Sequence, residues 1–112
     1  MKKVVGIKTS IEGFHAFEKA VEVFGPEIDF LALRHRHNFG ITLEVEVCHN
    51  ERDKEFILLK REVEQYFERC YGKPAEFKNM SCEAIAERLM RTFGATMVQV
   101  DEDGENYAKL TV

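Results

Sequence analysis

His37-Asn38-Phe39-Gly40-Ile41-Thr42-Leu43-Glu44-Val45-Glu46-Val47-Cys48-His49 decides the fold class. Phe39, Ile41, Leu43, Val45 and Val47 alternate with Thr42, Glu44 and Glu46. A strand turns successive side chains to opposite faces, so this stretch is a long strand with one apolar and one polar face. Such a strand suits an antiparallel sheet that is covered by helices on one side and solvated on the other.

Outward from that strand the neighbouring elements follow. Residues 3–9 alternate loosely and read as a first strand, whose lysines suit a sheet edge. Between Phe14 and Phe24, the residues Phe14, Phe17, Val21 and Phe24 recur at helical spacing before Gly25-Pro26 stops them, which predicts a short helix. Asp53 is placed to cap a helix running to about Tyr71, with Phe56, Leu59, Val63, Tyr66, Phe67 and Cys70 as its apolar stripe and Gly72 and Pro74 at its end. A second long helix opens at Ser81, turns Ile85, Leu89 and Phe93 to one face and stops at Gly94. Thr96–Val100 and Tyr107–Val112 then flank Asp103-Gly104, the strongest hairpin signal in the chain. The order strand, short helix, strand, helix, helix, hairpin predicts one α+β domain over residues 1–112, an antiparallel sheet with two main helices on one face.

The chain has 112 residues, enough for one hydrophobic core and too few for two domains. Its 16 Lys and Arg against 20 Asp and Glu give a formal charge of −4, a poor basis for holding a polyanion, so nucleic acid is not expected as a partner. No apolar run approaches the roughly 18 to 20 residues of a membrane span, and Met1-Lys2-Lys3 leads into a strand-like stretch rather than a secretory signal. A soluble, cytoplasmic protein is expected. Cys48, Cys70 and Cys82 are an odd number without a C-x-x-C pair and read as small apolar residues, not as a disulfide frame.

His35 and His37 stand one residue apart at the start of the long strand. If the strand extends back to His35, both imidazoles project to the face that carries Phe39 and Ile41, where two rings at i and i+2 can ligate one ion. The same Arg34-His35-Arg36-His37 run also fits a solvated polar turn, and spacing alone does not choose between them. His15 is the candidate third ligand, with an ordinary structural histidine as the alternative, and His49 reads as a surface residue.

These residues carry a resemblance. His35-Arg36-His37-Asn38-Phe39 resembles the H-G-H-N-Y segment of the 6-pyruvoyl-tetrahydropterin synthase family, which includes the 6-carboxy-tetrahydropterin synthases. Glu55-Phe56-Ile57-Leu58-Leu59-Lys60 is similar to its D-F-x-x-L-K, and Ser81-Cys82-Glu83-Ala84-Ile85-Ala86 to its T-x-E-x-x-A. Val98-Gln99-Val100-Asp101-Glu102-Asp103 resembles V-x-V-x-E-T, and Gly13-Phe14-His15-Ala16 stands where F-x-A-A-H supplies the first histidine. The five segments occur in the family's order and span nearly the whole chain. The resemblance implies the tunnelling fold, assembled through its open sheet edges into an oligomeric barrel, here a homo-oligomer expected to be a hexamer. It implies a Zn2+ site on His15, His35 and His37, with Glu102 anchoring a pterin-like ring and Ser81 and Glu83 beside it. A carboxylate can accept two parallel N–H bonds from an aminopyrimidinone edge, which fixes a flat heterocycle in position and orientation. Ser81 also suits a plain helix cap, and Glu102 a solvated hairpin acid.

The family's catalytic cysteine and its Asp-His dyad have no counterpart here. Glu27-Ile28-Asp29-Phe30-Leu31-Ala32-Leu33-Arg34 contains no thiol, and Tyr71-Gly72-Lys73-Pro74-Ala75-Glu76-Phe77-Lys78-Asn79 contains no histidine. Asp29 stands at a spacing before His35 like that of the missing cysteine and is the candidate general base, with Glu27 a weaker version of the same idea. The expected activity is a zinc-dependent, pterin-synthase-like lyase acting on a dihydropterin such as dihydroneopterin or its triphosphate. The alternative is a non-catalytic pterin- or purine-like ligand-binding or assembly protein of the same fold.

Overall fold

The computed structural model describes residues 1–112 as a five-stranded sheet with helices packed against one face. Strand β1 (Lys3–His15) and strand β2 (His35–Val47) pair antiparallel along their whole length, from Lys3 opposite Val47 to His15 opposite His35. Strand β3 (Ala75–Glu76) pairs parallel to the end of β1, at Gly13 and Phe14. On the other side, β4 (Met97–Glu102) pairs with β2, and β5 (Asn106–Thr111) pairs with β4, both antiparallel, giving the order β3-β1-β2-β4-β5.

The alternation in β2 is the one expected. Phe39, Ile41, Leu43, Val45 and Val47 are buried, while Arg36, Asn38 and Glu46 are exposed. The buried set meets Leu59, Val63 and Phe67 of helix α2 (Phe56–Tyr71) and Ile85, Ala86 and Leu89 of helix α3 (Cys82–Phe93) in one continuous core. Helix α2 lies along β1, and α3 lies across β4 and β5. Burying one such side chain contributes about 1.5–3 kcal/mol, so the shared face holds both helices in place. No helix is long and apolar enough to cross a membrane.

Both helix ends carry their expected stops. Gly72 and Gly94 take positive φ and return their N–H groups to Glu68 and Met90. Ser81 caps α3 by accepting the Ala84 N–H at 3.1 Å. The cap of α2 differs from expectation. Glu55 accepts the Ile57 N–H at 2.8 Å, and Asp53 instead accepts the Cys48 N–H at 2.8 Å, closing the preceding turn.

The expected helix over residues 14–24 is largely strand and turn. Phe14 and His15 belong to β1, Phe17 lies in the connection, and helix α1 covers only Ala20–Phe24. The residue that precedes it, Lys19, makes no side-chain cap, whereas Gly13, Phe14 and His15 gain ladder partners in His37, Arg36 and His35. Long-range pairing outweighs a weak local helical pattern there. A 3₁₀ segment over Pro26–Ala32 then leads to β2.

Candidate metal centre

The β1–β2 ladder places two imidazoles directly opposite one another, His15 and His35, and alternation along β2 places His37 beside them. His15 and His35 have ring centroids 4.6 Å apart, and His35 and His37 lie 5.0 Å apart. One ring nitrogen from each of the three converges so that the three atoms lie within 4.8 Å of one another. Below them sits the buried ring of Phe39, packed edge-on against His15, His37 and Phe77.

Each imidazole is oriented from behind by its Nδ1 atom. His15 Nδ1 faces the Met80 carbonyl at 2.9 Å, His35 Nδ1 faces the Leu33 carbonyl at 2.8 Å, and His37 Nδ1 faces Asp103 Oδ2 at 2.7 Å. A carbonyl or carboxylate oxygen only accepts, so Nδ1 carries the proton and donates it in each neutral ring. Nε2 is left as the lone-pair atom. The Nε2 atoms of His15 and His37 are buried and have no hydrogen-bond partner. His15 Nε2 lies 3.0 Å from Glu102 Oε2, but two acceptors face each other there and no hydrogen bond forms. Burial holds His15 below its ordinary pKa, against the opposing pull of the Met80 carbonyl and the Glu102 carboxylate, which keeps its lone pair available.

A divalent transition metal fits this donor set. Three imidazoles are each fixed through Nδ1, the converging Nε2 atoms of His15 and His37 have no partner in the protein, and three histidines with one open position is a zinc arrangement. The cluster can hold a metal ion. No family model matches the chain, and no curated protein matches it.

Asp103 is held by the turn it belongs to. Its backbone N–H donates to the Asn38 carbonyl at 2.8 Å, and its Oδ1 accepts the Asn38 N–H at 2.8 Å, so the β4–β5 turn is latched onto β2 beside His37. The Asn38 N–H and then the His37 side chain hold the Asp103 carboxyl below its ordinary pKa. Asp103 and Gly104 both take positive φ, which Gly favours and Asp tolerates. The neighbouring Asp101 carboxylate lies over Gly40, where a Cβ would overlap it, and accepts the Gly104 N–H at 2.7 Å.

A cavity of about 460 Å³ opens beside the histidines. His15, His35, Glu102, Ser81 and Glu83 line it, so two of the three expected metal ligands face the expected ligand-binding residues, with His37 in the same cluster behind them. Its remaining wall includes Phe17, Phe24, Leu31, Met80 and Tyr107. Glu102 Oε2 is also 3.7 Å from His37 Nε2 and 3.8 Å from the Cys82 thiol. Burial, reinforced by the Glu102 carboxylate, pushes that thiol up to about 12 and keeps it protonated.

Asp29 is not brought to this place. It is exposed on the 3₁₀ segment and does not line the cavity, although Leu31 of the same segment does. His49 is near Asp53, at 3.6 Å, in the turn after β2 and far along the strand from the cluster. The orienting groups missed in the sequence are Met80, Leu33 and Asp103. The first two act through main-chain carbonyls, which any residue type supplies, and Asp103 signalled only a turn.

Proposed function

We propose that the chain is a zinc-dependent, pterin-synthase-like domain that binds a dihydropterin, such as dihydroneopterin or its triphosphate, in a cytoplasmic pathway. The observation that carries this reading is the convergence of the His15, His35 and His37 ring nitrogens within 4.8 Å, beside a cavity that His15, His35 and Glu102 line. A zinc ion bound there supplies Lewis acidity toward a hydroxyl or carbonyl oxygen of the ligand's side chain. Met80, Leu33 and Asp103 hold the three rings in one tautomer. Glu102 accepts from the N–H edge of the heterocycle, Ser81 and Glu83 flank it, and the apolar wall excludes water from the ring faces.

The sheet supports an oligomer. β5 is an unpaired edge with exposed residues, and β1 has a partner on its outer side only at Gly13 and Phe14. Joining such edges between copies closes a barrel, and a hexamer is the proposed assembly. The exposed position of Asp29 favours a second reading, a non-catalytic ligand-binding or assembly protein that uses the same pocket.

Zinc-loaded protein titrated with 7,8-dihydroneopterin, by the ligand's fluorescence, followed by chromatography of the mixture, tests both readings. The enzyme reading expects binding and a new pterin product, with Glu102→Ala abolishing binding while zinc is retained. Binding without any product selects the second reading, and no binding rejects both.

A further inference from the structure

Charge at the cavity selects among dihydropterins, an inference that rests on the pterin-binding reading above. No Lys or Arg lines the cavity, while Glu83 and Glu102 do. The nearby arginines are committed elsewhere. Arg34 pairs with Glu76 and lies over the Phe14 ring, with Cζ 3.6 Å from its centroid, and Arg36 pairs with Glu12 at 2.5 Å. At the N-terminus of α3 the Ala84 N–H is taken by Ser81 Oγ, and Glu83 places a negative charge in the first turn that opposes an anion there. The two carboxylates on the wall, with no cation from Lys or Arg beside them, oppose the approach of a polyanion. Phosphate recognition is strongest with Arg forks or Lys, and a hydrated phosphate set against the apolar wall of Phe17, Phe24, Leu31, Met80 and Tyr107 loses water there without gaining partners.

We propose that this site takes a dihydropterin whose side chain carries no phosphate, with the ring edge at Glu102, a side-chain oxygen toward the histidines and the ring faces or an alkyl group on the apolar wall.

The test compares 7,8-dihydroneopterin with its triphosphate on the zinc-loaded protein, in the wild type and in Glu83→Lys, at one fixed ionic strength. The wild type is expected to bind the unphosphorylated compound at least about tenfold more tightly, and Glu83→Lys, which swaps a negative for a positive charge at an exposed helix start, to narrow that ratio severalfold. Equal or tighter binding of the triphosphate by the wild type overturns the inference and leaves the pterin reading standing. A ratio that Glu83→Lys does not move also overturns it. Binding of neither compound overturns the pterin reading and this inference together.

Discussion

His37 Nδ1 donates to Asp103 Oδ2 across 2.7 Å, joining the start of β2 to the β4–β5 turn that lies 66 residues further along the chain. The same aspartate accepts the Asn38 N–H, so one carboxylate sets both the ring of His37 and the seat of the turn. A metal ligand held in this way loses orientation when its outer partner weakens. Asp103→Asn keeps an oxygen and tolerates the positive φ but gives up the charge, and it is expected to lower zinc affinity by roughly 10- to 100-fold with the fold intact. Competition with a chromophoric chelator measures it. An unchanged affinity would show that the Asp103 contact does not tune the site.

Ser81 separates capping from ligand contact. Its Oγ accepts the Ala84 N–H, and Ser81→Ala is expected to cost about 1 kcal/mol in urea unfolding. If the Ser81 hydroxyl touches the ligand as well, dihydroneopterin affinity falls in Ser81→Ala and also in Ser81→Asp, which restores the cap but not the hydroxyl. A drop in both variants therefore assigns contact to the hydroxyl, and no drop in either leaves the residue as a cap.

Gly13 lies where β1, β3 and Phe77 meet, directly opposite His37 in the ladder. A Cβ there would stand 2.8 Å from Phe77 Cε2 and 3.1 Å from the Ala75 carbonyl oxygen. Phe77 is fully buried and the other neighbour is backbone, so neither yields easily. Gly13→Ala is expected to destabilise the protein by about 1–3 kcal/mol, read as a lower urea midpoint. A wild-type midpoint would mean that the strand end relaxes freely.

Cys82 gives a pH dependence whose sign is fixed by its burial. Its thiol rises from an ordinary value near 9 to about 12 in the folded state, chiefly through burial and then through Glu102. The unfolded chain releases this proton first. The stability contributed by the neutral thiol is therefore complete below about pH 8.5 and is lost as pH rises toward 12. Urea midpoints measured in EDTA should fall between pH 8 and pH 10.5 by a smaller amount in Cys82→Ala than in the wild type. Parallel declines would place the thiol in water.

Much of this arrangement is legible in the sequence because it depends on short periods and punctuation. The alternation from Phe39 to Val47 gives β2 and its buried face, the stripes ending at Gly72 and Gly94 give α2 and α3, and Asp103-Gly104 marks the last hairpin. Period two also puts His35 and His37 on one face as soon as the strand includes them. The end of β1 is not legible. Phe14 and Phe17 imitate a helical spacing, and only pairing with Arg36 and His35, further along the chain in β2, makes the segment a strand and brings His15 opposite His35. Main-chain partners such as the Met80 and Leu33 carbonyls leave no signature, since every residue has that oxygen. Asp29 shows the opposite failure. Its spacing matched a pattern, but the 3₁₀ turn leaves it exposed outside the cavity.

Binding of one metal ion by His15, His35 and His37 underlies the proposed chemistry. It is tested most directly by the zinc content of protein purified without added metal, together with X-ray absorption at the zinc edge, for the wild type and for His15→Ala, His35→Ala and His37→Ala. The three-histidine site predicts about one zinc per chain with imidazole nitrogens at roughly 2.0–2.1 Å in the wild type, and loss of stoichiometric zinc in each variant while circular dichroism stays native. A wild type that takes up no zinc, or folded variants that keep one ion per chain, would contradict it.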